Sequence, residues 1–112
     1  METNEKYEKM DFEEIRELIK RRRFQILIHS FIYYRLNDNI ISNDTFNRWA
    51  LELIKLQKLY PKASKKAELY SVFCDFTNVG DAAFLPLDND LRLENRAKQL
   101  LETHYKHLGE DN

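Results

Sequence analysis

Tyr33-Tyr34-Arg35-Leu36-Asn37-Asp38-Asn39-Ile40-Ile41-Ser42-Asn43-Asp44-Thr45-Phe46-Asn47 reads as the end of one helix, a turn, and the start of another. Asn37, Asp38 and Asn39 are turn formers whose short polar side chains bond their own backbone. Ser42 stands where a helix N-cap is wanted. Upstream, Phe12, Ile15, Leu18 and Ile19 recur at three- and four-residue spacing, with Asp11, Glu13 and Glu14 where the helix dipole favours acids. This predicts a helix from Asp11 to about Leu36, roughly 39 Å long. Its second half (Phe24, Ile26, Leu27, Ile28, Phe31, Ile32, Tyr33, Tyr34) is apolar nearly all round and must be covered on more than one side. Downstream, Phe46, Trp49, Ala50, Leu53, Leu56 and Tyr60 predict a second helix from Asn43 to Tyr60, ended by Pro61. Two long helices on a short connection make an antiparallel hairpin. With Trp49 in its core, Trp49→Ala is expected to cost about 3–5 kcal/mol.

The remaining chain reads as elements laid on that hairpin. Ser64 is placed as the cap of a third helix over 65–73. Residues 75–90 hold Gly80, Pro86 and several Asp and Asn, and predict a loop packed by Phe76, Phe84, Leu85 and Leu87. Its length suits a functional or mobile segment. A last helix is expected over 91–108, with Leu93, Ala97, Leu100, Leu101 and His104 on one face and Gly109 as its C-terminal cap. Residues 1–10 are polar and expected to be disordered. With 112 residues there is room for one core, and two Gly and two Pro leave long elements uninterrupted. The expectation is a single all-α domain, a small helical bundle built on the hairpin, with a long loop before the last helix.

A formal net charge of −1 provides no global field toward nucleic acid or an anionic membrane. Locally, Lys20-Arg21-Arg22-Arg23 makes Arg21, Arg22 and Arg23 candidate phosphate contacts. The plainer reading is a solvated helix face, because Glu17 stands four residues before Arg21. Cys74 is the only cysteine, so no internal disulfide forms, and it reads as a small buried hydrophobe. His104 and His107 lie one turn apart without a third ligand, and the aspartates of 75–90 lack calcium-loop spacing, so no metal is expected. No Ser, Cys or Thr has an evident base beside it, and no cofactor is expected. The apolar run Phe24 to Tyr34 is interrupted by Gln25, His29 and Ser30 and is too short to cross a bilayer. The acidic start Met1-Glu2-Thr3-Asn4-Glu5 is not a signal peptide. These features predict a cytoplasmic protein with no membrane contact, and the apolar belt makes a homodimer one expected arrangement.

The run from Tyr33 to Pro61, with Tyr33-Tyr34, the Asp-containing turn, Ile41-Ser42, Phe46, Glu52-Leu53, Leu56 and Tyr60-Pro61, resembles the N-terminal helical subdomain of bacterial NAD-dependent DNA ligases. In that family the subdomain closes over the nicotinamide half of NAD, gripping it with aromatics and two acids. The resemblance implies a nucleotide-binding set of Tyr33, Tyr34, Asn43, Phe46 and Asn47. The acids are replaced here by Asn43 and Asn47, which removes two negative charges suited to a cationic ring while keeping the shape and adding amide donors. Charge-assisted contacts are worth roughly 1.5–3 kcal/mol each, so the change is not small. The Lys-x-Asp-Gly adenylation motif of a ligase is absent, and an enzyme is not expected. Short phage-encoded ligase-related proteins share the hairpin and a Phe-rich loop, which Phe73, Asp75, Phe76, Gly80, Leu85 and Pro86 resemble.

Three functional readings follow. The first is a non-catalytic phage-type module that binds and modulates a host or phage protein, with counter-defence as one such role. The second is a binder of NAD, nicotinamide mononucleotide or an NAD-derived nucleotide without chemistry, for which Tyr33, Tyr34 and Phe46 could stack a ring and Asn43 and Asn47 bond it. The third, least supported, is association with nucleic acid through Arg21, Arg22, Arg23, Lys55, Lys58, Lys65 and Lys66.

Overall fold

The computed structural model describes residues 6–88 and 90–110. In chain order it contains helices α1 (Phe12–Arg35), α2 (Asn43–Leu59), α3 (Pro61–Lys66) and α4 (Tyr70–Phe73), a 3-10 helix (Val79–Phe84), and α5 (Leu91–Glu110). No strand occurs among the described residues, and the fold is an all-α bundle.

Helix α1 starts on a capping box. Asp11 Oδ1 accepts the Glu14 N–H at 2.9 Å and Glu14 Oε1 accepts the Asp11 N–H at 3.0 Å, which satisfies two donors the helix leaves open. Its buried stripe includes Ile15, Ile19, Arg23, Ile26 and Ser30, a 4-4-3-4 spacing that keeps one face on the core. The helix closes where Asn37 takes a left-handed conformation (φ 54°) and the Asp38 N–H reaches Ile32 O at 3.1 Å. Asn tolerates that region better than other residues with a Cβ. After the turn, Ser42 Oγ accepts the Thr45 N–H at 3.1 Å and caps α2. Cross-helix contacts pair His29 with Trp49, Arg23 with Gln57 and Arg22 with Glu52. From Arg23–Gln57 to His29–Trp49 the numbers rise on α1 as they fall on α2, so the hairpin is antiparallel as expected. Helices α3 and α5 and the 3-10 helix pack against α1, and α3 and the 3-10 helix also touch α2.

The structure departs from the sequence reading at several places. Pro61 ends α2 but also opens α3 at a position where its missing N–H costs nothing. The expected helix over 65–73 is two short helices, because Leu69 stands between them in the left-handed region (φ 68°). Ser64 is no cap: it is buried within α3. Within 75–90, Phe76, Leu85 and Leu87 are buried, but Phe84 is 86% exposed. Cys74 is exposed, not buried. Gly109 lies inside α5 and does not cap it. Of the segment expected to be disordered, residues 1–5 lie outside the described residues. Residues 6–8 form a helical turn with Tyr7 buried against the hairpin. In the apolar belt Ile26, Leu27, Phe31 and Ile32 are buried within the chain, while Tyr33 and Tyr34 stay 55% and 43% exposed.

Candidate functional site

A cavity of about 240 Å³ opens at the turn end of the hairpin. Four pieces of chain frame it: the last turns of α1 from His29 to Tyr34, the turn residues Asn39 to Ile41, the first turns of α2, and the 3-10 helix through Val79, Gly80 and Ala82. All five residues singled out as a nucleotide-binding set, Tyr33, Tyr34, Asn43, Phe46 and Asn47, line it together. The spacing explains the convergence. Asn43, Phe46 and Asn47 stand at i, i+3 and i+4 on one face of α2, and the antiparallel turn brings that face beside the end of α1. Tyr33 and Tyr34 meet edge to face, with ring centroids 4.8 Å apart and planes at 87°.

The sequence reading missed His29, Ser30 and the 3-10 helix. His29 stands four residues before Tyr33, and Ser30 four before Tyr34, so each shares a helix face with a tyrosine that was noticed. The 3-10 helix had no such local signal, since its place depends on packing across the chain. Asp81 fixes it by accepting the Thr77 and Asn78 N–H groups at 3.1 and 3.0 Å.

No Asp, Glu, Lys or Arg lines the cavity. Burial pushes the His29 imidazole below its ordinary pKa, so it is neutral at pH 7, and its ring lies 5.5 Å from that of Trp49. Ser30 is 1% exposed, and its Oγ is the one buried side-chain polar atom without a hydrogen-bond partner among the described residues. Two nearby acids are engaged elsewhere. Asp38 accepts the Tyr105 hydroxyl at 2.7 Å and Asp88 binds the Arg35 guanidinium. Those hydrogen bonds hold both carboxyls below the usual range.

The second candidate set divides. Four consecutive residues spread around a helix at about 100° steps, so Lys20 to Arg23 cannot share a face. Arg21 is exposed. Arg22 donates to Glu52 and lies 5.9 Å from the Trp49 ring. Arg23 is fully buried. Its guanidinium donates to Gln57 Oε1 at 2.9 Å, to the carbonyls of Ser64, Ala67 and Glu68, and to Ser64 Oγ at 2.7 Å. Arg23 is therefore removed from any phosphate at the surface, which corrects the reading of this run as a solvated face. Burial lowers its pKa to about 10, which leaves it charged at neutral pH. No group of three or more potential metal ligands occurs among the described residues, and none of their helices is long and apolar enough to cross a membrane.

Comparison with known proteins finds DNA ligases. The chain is 42% identical over 50 residues to the DNA ligase of Pseudothermotoga lettingae, 37% over 49 residues to that of Thermotoga maritima, and 36% over 53 residues to that of Thermosipho africanus. These matches cover 44–47% of this chain and 7–8% of the ligases. The chain thus carries a ligase-related segment and spans less than a tenth of the relatives it matches. No family model matches, and no solved structure matches.

Proposed function

We propose that this protein is a non-catalytic binding module that takes the nicotinamide end of NAD or an NAD-derived nucleotide into the cavity between α1, α2 and the 3-10 helix. The observation that carries the reading is the convergence of Tyr33, Tyr34, Asn43, Phe46 and Asn47 on one opening. A cavity of about 150 Å³ holds a benzene ring, so 240 Å³ admits a ring with a carboxamide beside it. The aromatics offer stacking surface and the asparagines offer both donors and acceptors. The ligase-related segment supports descent from the nicotinamide-mononucleotide-binding subdomain of those enzymes, and the Phe-rich loop supports a phage-type setting in which the module sequesters a nucleotide of the host.

Thermal denaturation with a panel of NAD, NADH, nicotinamide mononucleotide and adenine nucleotides tests this. A ligand present at a hundredfold over its Kd stabilises the fold by about 2.7 kcal/mol, a shift of many degrees for a domain of this size. A shift confined to nicotinamide-bearing ligands is expected, and no shift with any of them would overturn the reading.

A second reading, docking of a host or phage protein, draws support from Phe84, which sits at the end of the 3-10 helix almost wholly in solvent. It predicts that Phe84→Ser abolishes partner capture while leaving nucleotide shifts intact.

A further inference from the structure

The cavity combines aromatic walls with no formal charge, and one buried hydroxyl inside it lacks a partner. We infer that it selects an uncharged planar ring bearing a carboxamide over a cationic ring of the same shape, so that reduced nicotinamide and not the oxidised form is its ligand. This rests on the nucleotide reading above and goes further by assigning the charge state of the ligand.

Three observations carry it. First, the residues lining the cavity include no acid that could neutralise a cation. A charge taken out of water without a partner is disfavoured far more than a neutral polar group that finds hydrogen bonds. Second, the Ser30 hydroxyl is buried and unbonded. Buried polar groups are nearly always satisfied, and a carboxamide supplies the donor and acceptor that would do it. Third, the acids adjoining the lining residues stand outside the lining: Asp38 accepts the Tyr105 hydroxyl, Asp81 accepts the Thr77 and Asn78 N–H groups, and Asp44 is exposed to solvent. The C-terminus of α1 and the N-terminus of α2 both frame the site, and their opposite partial charges offset each other. Tyr33 and Tyr34 present aromatic faces, but cation–π attraction at half-exposed rings is weak and does not replace a counter-ion.

The test uses two molecules of one shape that differ by one charge, 3-methylbenzamide and the 1-methylnicotinamide cation, with NADH and NAD as the larger pair. Binding is read by ligand-observed NMR for the first pair and by calorimetry for the second. The neutral member of each pair should bind at least about tenfold more tightly, equivalent to 1.4 kcal/mol. The Asn43→Asp, Asn47→Asp double variant should reverse that order, since it places two carboxylates on the exposed rim. Ser30→Ala gives an independent check with readouts of opposite sign. It should raise the melting temperature by several degrees, because an unsatisfied hydroxyl is removed, while weakening 3-methylbenzamide and NADH about tenfold. Equal or tighter binding of the cations overturns the charge assignment and leaves the nucleotide reading standing. No binding of either pair overturns both.

Discussion

Arg23 and Glu52 show how single charged side chains hold this fold together. Arg23 reaches five acceptors from inside the core, and its partner Gln57 passes the connection on by donating to the carbonyl of Phe73 at 3.1 Å. One residue of α1 thus fixes α2, α3 and the chain that leads into the 3-10 helix. Arg23→Met should cost about 3–5 kcal/mol in urea denaturation, because the carbonyls it serves lose their donors. Arg23→Lys should recover little, since an ammonium cannot span the same fan of acceptors. Glu52 accepts from Lys6 at 2.8 Å, from the Tyr7 hydroxyl at 2.7 Å and from Arg22. Burial alone would raise its pKa, but the hydrogen bonds from Lys6, Tyr7 and Arg22 outweigh that and hold it at about 2. A folded-state value below the ordinary 4.5 means the stabilisation is fully present above pH 4.5 and is lost as pH falls toward 2. Glu52→Gln should therefore be less stable than the parent at pH 7, by about 1.5–3 kcal/mol, and nearly equal to it near pH 2. A constant difference across that window would contradict this account.

At the scale of elements, the hairpin turn depends on local chemistry that the sequence displays openly. Asn37 adopts positive φ, so Asn37→Gly should be neutral or slightly stabilising while Asn37→Val costs about 1–2 kcal/mol. Ser42→Ala should remove about 1 kcal/mol with its cap. Thermal melts of these three variants check both statements. Turn formers, the serine cap and helical spacing were all visible from residues 11–61, which is why α1 and α2 were read to within a residue or two. Leu69 was not, because no local rule places a leucine in the left-handed region; packing of Leu69 against the core imposes it. Arg23 could have been found. It continues the Ile15, Ile19, Ile26 stripe at helical spacing, but a run of four cations obscured that periodicity. Trp49 is only partly buried, wedged between His29 and Arg22, so Trp49→Ala should cost nearer the lower end of the 3–5 kcal/mol expected for a core aromatic.

For the whole molecule, the hairpin is the frame and the site lies where its two arms turn. The half of the site on α1 and α2 was legible because it depends on local spacing and on a resemblance that spans the same residues. The other half, Val79 to Ala82, comes from 30 or more residues away and needed the bundle to be assembled first. Gly80 marks that half. A Cβ there would meet no atom within 4 Å and its φ is not positive, so the backbone accepts a side chain at this position. Gly80→Leu should fold normally and narrow the cavity, weakening any ligand without altering the melting temperature of the free protein. The most direct measurement is calorimetric titration of the purified protein with NAD, NADH and nicotinamide mononucleotide, repeated on the Tyr33→Ala, Asn47→Ala double variant, whose two side chains are exposed and whose folding is checked by its melting temperature. Saturable binding of a nicotinamide-bearing ligand that disappears in the folded double variant is the predicted result. Absence of heat with all three ligands, or binding unchanged in the variant, would contradict the account.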